Sequence, residues 1–93
     1  MRLLVVEDQA KMALFLKRGL TDAGYAVDSA DTALSAENLC RLQSYDMIVM
    51  DRGLPDQNGL ELSKKLRQKG YTQPILMLTA YSSIDDKISG LDA

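Results

Sequence analysis

Between Tyr45 and Leu60 the chain reads YDMIVMDRGLPDQNGL, and this stretch narrows the possible folds more than any other. The apolar run Met47-Ile48-Val49-Met50 ends at the carboxylate of Asp51. A turn rich in glycine, proline and aspartate follows, and a helical pattern starts near Gly59. An apolar run without alternation fits a strand buried on both faces, as in a parallel sheet covered by helices. Asp51 then stands at the carboxyl end of that strand, where open α/β sheets place their ligand sites. From this stretch alone, Asp51 is either a site residue or a cap for the turn after it.

The rest of the chain repeats the pattern. Leu3–Val6 reads as a short buried strand ending in the acidic pair Glu7-Asp8. A helix is expected from about Gln9 to Ala23, with Ala13, Leu16, Leu20 and Ala23 on one face and Gly24 as its stop. Tyr25–Ala30 is a second, weaker strand. Asp31 or Thr32 can cap the next helix, which carries Ala33, Ala36, Leu39 and Cys40 inward. Asp46–Asp51 is the third strand. From Gly59 a third helix sets Leu60, Leu62 and Leu66 against an outer face of Lys64, Lys65, Arg67 and Lys69, and Gly70 ends it. Pro74 leads a fourth strand, Ile75–Thr79, at the position where a strand tolerates proline. Ser82 or Ser83 caps a last helix with Ile84, Ile88 and Leu91 on one stripe. Strands and helices alternating in this way imply a parallel α/β sheet with right-handed crossovers.

Composition excludes several classes of function. At 93 residues the chain makes one domain at most. A net charge of −2 lacks the basic excess that nucleic-acid binding needs. The lone Cys40 permits neither an intrachain disulfide nor a cysteine zinc site, and a reducing compartment fits. The absence of histidine removes Ser-His and Cys-His nucleophile pairs and every histidine metal ligand. The apolar run after Arg2 is too short for a signal peptide, and no stretch approaches the ~20 apolar residues of a membrane span. A soluble cytoplasmic protein without membrane partners is expected.

In a parallel sheet all carboxyl ends lie on one edge. There the first strand delivers Glu7 and Asp8, the third Asp51 and the fourth Thr79. Carboxylates gathered at one edge repel each other unless a cation joins them. Hard oxygen ligands suit Mg²⁺, which takes one or two carboxylates and keeps several waters. The pattern therefore predicts an acidic Mg²⁺ pocket beside an aspartate able to accept a phosphoryl group, with the Thr79 hydroxyl donating to a phosphoryl oxygen. Each residue also has a plainer role: Glu7 and Asp8 as caps of the first helix, Thr79 as strand-end polarity. Their coincidence on one edge favours a site without fixing a reaction.

At this point a family resemblance is specific. LLVVEDQ, DRGLPDQNGLEL, PILMLTA and ISGLDA together resemble the receiver domain of bacterial two-component response regulators, over the whole chain. The likeness is strongest to the OmpR/PhoB type, whose receivers are joined to a winged-helix DNA-binding domain. The resemblance implies a flavodoxin-like (CheY-like) sheet of order 2-1-3-4, here lacking the family's fifth strand and fifth helix. It implies that Asp51 is phosphorylated by a sensor histidine kinase or a small donor such as acetyl phosphate. Mg²⁺ would be held by Asp8, by Asp51, by Glu7 through water, and by the backbone carbonyl of Gly53. Thr79 would swing toward the phosphoryl group, Ala80 would leave it room, and Tyr81 would shield it from water.

The same resemblance sets further expectations. The family's essential lysine belongs to the fifth strand, and Lys87 is no substitute by position. The chain is expected to be a receiver truncated at its carboxyl end, without its DNA-binding output domain. Its fourth strand is then an open apolar edge that invites a homodimer, and its first helix lacks a neighbour. Arg52 reads as a solvated loop charge and Cys40 as a small core residue. A phosphatase with an aspartyl-phosphate intermediate would want an aspartate where Gly53 stands. A receiver that works only as a protein-binding module is opposed by the intact acidic pair, Asp51 and Thr79.

Overall fold

The computed structural model describes residues 1–78. Within them each apolar run becomes a strand and each periodic segment a helix. The strands are β1 (Arg2–Val6), β2 (Ala26–Ala30), β3 (Met47–Asp51) and β4 (Ile75–Leu78), and the helices are α1 (Ala10–Asp22), α2 (Ala33–Leu42) and α3 (Gly59–Gln68). All strand pairings are parallel, in the order β2-β1-β3-β4. This is the expected flavodoxin-like order. The predicted fourth helix, and with it Thr79, Ala80, Tyr81 and Lys87, lies outside the described residues.

Strand alternation divides the core between the two faces of the sheet. Leu4, Val6, Ile48, Met50, Ile75 and Met77 share one face with Ala33 and Ala36 of α2 and Leu62 and Leu66 of α3. Fully burying a leucine such as Leu62 contributes about 1.5–3 kcal/mol, so this face anchors the fold. Leu3, Val5 and Val49 are also buried, on the alternate positions of the central strands, and α1 lies against β1 and β2.

The helix ends follow local chemistry. Thr32 caps α2, its hydroxyl accepting from the Ser35 amide at 3.1 Å, which decides between Asp31 and Thr32. Gly24 and Gly70 take φ of 101° and 97° after α1 and α3, a left-handed turn that favours glycine. On α1, Ala13, Leu16 and Leu20 are half-buried as the periodicity predicts, but Ala23 is exposed. The helix closes at Asp22, and Ala23 is its cap, already turning toward Gly24. Among the described residues, no helix is long and apolar enough to cross a membrane.

Candidate functional site

Register builds the site. β1 pairs with β3 as Val5↔Val49 and Val6↔Met50. One further step along both strands sets Glu7 beside Asp51, on the same face of the sheet and about 4.8 Å apart across the ladder. The Glu7 amide continues the β1 ladder by donating to the Ala30 carbonyl at 2.9 Å. Two carboxylates are thus forced together by backbone pairing before their side chains make any contact. Asp8 follows where β1 turns toward α1. Carboxylate oxygens of Glu7, Asp8 and Asp51 all lie within 4.8 Å of one another.

This geometry separates the two roles open for the acidic pair. The N-cap of α1 is Gln9, and no side chain caps the helix there. The carboxylates of Glu7 and Asp8 lie toward Asp51, and the Gln9 amide also acts on Glu7. Asp51 holds the turn after it, since one of its oxygens, Oδ1, accepts the Gly53 amide at 3.3 Å, and the same carboxylate faces those of Glu7 and Asp8. That bond is long enough to orient the carboxylate without saturating it.

The electrostatics are uncompensated. Glu7 and Asp51 are each only 7% exposed, whereas Asp8 faces solvent. Burial, then the Asp51 carboxyl beside it and the charges of Asp51 and Asp8, push the Glu7 carboxyl from its ordinary 4.5 up to about 7, against the pull of the Gln9 amide. Among the described residues no lysine or arginine pairs with any of the three. Arg52 also stands free of ion pairs there; its backbone, donating to Leu78 O and accepting from Gly59, is what the fold uses. Hard oxygens of like charge, two of them buried, fit a divalent cation such as Mg²⁺. A cleft of about 590 Å³ between α1 and α2 reaches Glu7 and Asp8 and opens them to solvent.

The loop after Asp51 is held by features that sequence reading passed over. Gly53 and Asn58 form an isolated antiparallel bridge, and the Gly59 amide donates to the Arg52 carbonyl at 2.8 Å. Gly59 is required by close approach: a Cβ there would stand 2.6 Å from the Asp51 carbonyl oxygen. The Asn58 side chain accepts the Leu60 amide at 2.8 Å and caps α3. Asp56 accepts from the amides of Ala33 and Leu34 at 2.8 and 3.0 Å. The Gly59 and Asn58 roles leave a local trace, in a glycine at a helix start and an Asx residue before it. The Asp56 contact joins residues 22 and 23 positions apart and has no local signal. Cys40 is half-buried beside the core, and burial with the nearby Glu37 pushes its thiol up, as suits an inert packing residue.

Comparison with known proteins shows the family of the chain. Residues 3–93 match the response regulator receiver domain family. The transcriptional regulatory protein BasR of Escherichia coli is 44% identical over 92 residues, covering 99% of this chain and 41% of the relative. The curated relatives SilR and CusR are covered to 40% of their length, so the chain spans about two fifths of such proteins. Among solved structures, the receiver domain of the Francisella response regulator 1452 superposes with a TM-score of 0.85 at 33% identity, covering 98% of this chain and 75% of that one. The response regulator TrrA of Thermotoga maritima gives 0.84 at 33% identity, covering 99% and 80%.

Proposed function

Since the chain belongs to the response regulator receiver domain family, we propose that it is the phosphoacceptor module of a two-component system. In this reading Asp51 takes a phosphoryl group from a phosphohistidine of a sensor histidine kinase. The modified domain then changes the activity of a DNA-binding output domain elsewhere in the full protein. The observation that carries the reading is the convergence of Glu7, Asp8 and Asp51 at the carboxyl edge of the sheet. The similar TrrA structure is a complex with Mg²⁺-BeF, which supports metal dependence in this reading.

The chemistry needs little machinery. One Asp51 oxygen is oriented by the Gly53 amide, and the other attacks phosphorus. An acyl phosphate O–P bond forms as the P–N bond of the donor breaks, and the electron pair leaves with the imidazole nitrogen. Glu7, Asp8, Asp51 and the Gly53 carbonyl would hold Mg²⁺, and the ion would neutralise charge on the incoming group. Burial of Asp51 keeps the acceptor oxygen in a fixed, partly desolvated place. The Thr79 hydroxyl is the donor proposed for a phosphoryl oxygen. The module is a switch, and turnover of a metabolite is no part of the reading.

The test is intact mass after incubation with acetyl phosphate and Mg²⁺, beside Asp51→Asn. Addition of one phosphoryl group is expected, and it should vanish in the variant and on chelation of the metal. A folded protein that gains no mass would overturn the reading and leave protein binding as the function.

A further inference from the structure

The contact that neither the strand pattern nor the acidic cluster explains is the one made by Asp56. We infer that Asp56 is a positioning residue for the acceptor site: by gripping the first amides of α2, it fixes the loop that carries Gly53. The part of this inference that concerns a metal rests on the proposed function. At its base the loop from Arg52 to Asn58 is closed by the Gly59–Arg52 bond and the Gly53–Asn58 bridge, and Leu54 is buried below it. Its outer part, Pro55 and Asp56, is exposed. There, among the described residues, the two bonds that Asp56 accepts from Ala33 and Leu34 attach it to another element.

Asp56 gives the first two amides of α2 the acceptor they lack within the helix, and it does so from a different loop. α2 already has a cap of its own in Thr32, which accepts the Ser35 amide. α3 is served by the single cap Asn58. The second acceptor on α2 comes from another loop, and it completes a hydrogen-bonded circuit around the site. Glu7 donates to Ala30 at the end of β2, α2 starts at Ala33, Ala33 and Leu34 donate to Asp56, and Gly53 donates to Asp51. Three strand ends and the acceptor loop are thus tied in a ring, with Asp56 as its one long-range side-chain link. The bond to the Ala33 amide holds the Asp56 carboxyl below its ordinary range, as suits a group that grips in its charged form.

The experiment compares wild type, Asp56→Ala, Asp56→Asn and Thr32→Ala by calorimetric titration with MgCl₂. Metal-free amide exchange at Gly59, relative to Ile48 in the central sheet, is measured on the same proteins. In Asp56→Ala, Mg²⁺ affinity is expected to fall on the order of tenfold, as for other residues that orient metal ligands indirectly. The Gly59 amide should exchange several-fold faster relative to Ile48. Asp56→Asn, which keeps a neutral acceptor, should lie between. Thr32→Ala weakens the same helix end without touching the loop and should leave both readouts near wild type. Unchanged Mg²⁺ affinity in Asp56→Ala, or an equal loss in Thr32→Ala, would reduce Asp56 to a cap and overturn the inference. Should wild type bind no Mg²⁺, the proposed function fails, and amide exchange at Gly59 alone decides whether Asp56 positions the loop.

Discussion

The two edges of the sheet are built from similar residues and arranged to opposite effect. Toward the amino edge, Asp28, midway along β2, accepts from the buried Tyr45 hydroxyl at 2.7 Å and pairs with Arg2 at 3.1 Å. Asp46 accepts the Arg2 amide at 2.8 Å, and the Tyr71 hydroxyl donates to the Tyr45 carbonyl at 3.4 Å. Both of these acids have donors. At the carboxyl edge Glu7, Asp8 and Asp51 face one another, and among the described residues no base joins them. A polar network with its partners supplied fixes structure, whereas one left short of charge is a place for a ligand. The molecule supplies donors to its acids at one end of the strands and gathers unpaired acids at the other.

The largest effect that can break this comparison comes from Gly59→Ala. The added Cβ would stand 2.6 Å from the Asp51 carbonyl oxygen, 3.0 Å from the Arg52 Cα and 3.1 Å from the Met77 sulfur. Two of these neighbours are backbone, so the acceptor segment itself must move. A loss of about 1–3 kcal/mol in urea unfolding is expected from overpacking of this kind, together with weaker Mg²⁺ binding. Wild-type stability and metal affinity would mean that the carboxyl edge is loose where the geometry makes it tight.

Next in size is Asp28→Ala at the opposite edge. It removes the acceptor of Tyr45, a residue only 3% exposed, and the partner of Arg2. Leaving that hydroxyl without a partner should cost about 1–2 kcal/mol, with Mg²⁺ affinity unchanged. The Arg2 pair adds little of this, because both of its side chains are well exposed, 40% and 35%. A fall in Mg²⁺ affinity would show that the two edges are coupled through the strands, and the contrast between them would be one of chemistry without independence.

How far sequence carries follows from which contacts are local. Strands end where apolar runs end, and a parallel sheet collects those ends. Glu7, Asp8 and Asp51 could therefore be placed together from their positions alone. Gly24, Gly70 and Thr32 mark helix ends by their own conformational chemistry. Asp28 sits in the second, weaker strand, and its partners Arg2 and Tyr45 are 26 and 17 positions away, so no local pattern marks it. Asp56 looked like any turn residue in a Gly-Pro-Asp loop. Its grip on α2 depends on how two crossovers pack, and neither periodicity nor propensity carries that. Even Ala23, one step beyond the last turn of α1, shows how a helical stripe overruns the true end when a cap residue is apolar.

The smallest effect concerns protons. The Glu7 carboxyl stands at about 7 in the folded protein against an ordinary 4.5. The folded state therefore holds a proton that the unfolded chain releases between those values. The sign follows from linkage: the contribution is full below 4.5 and is lost as pH rises through 7. Without metal, thermal unfolding should thus occur at lower temperature at pH 8 than at pH 5.5, and saturating Mg²⁺ should remove the difference by supplying the missing charge. Glu7→Gln mimics the protonated form, so it should flatten the metal-free profile and raise stability at pH 8 by about 1 kcal/mol or less, since water reaching Asp8 screens the repulsion. The same change should weaken Mg²⁺ binding. A variant that flattens nothing would mean that the repulsion at the carboxyl edge is already relieved, and the two edges would then differ in composition without differing in strain.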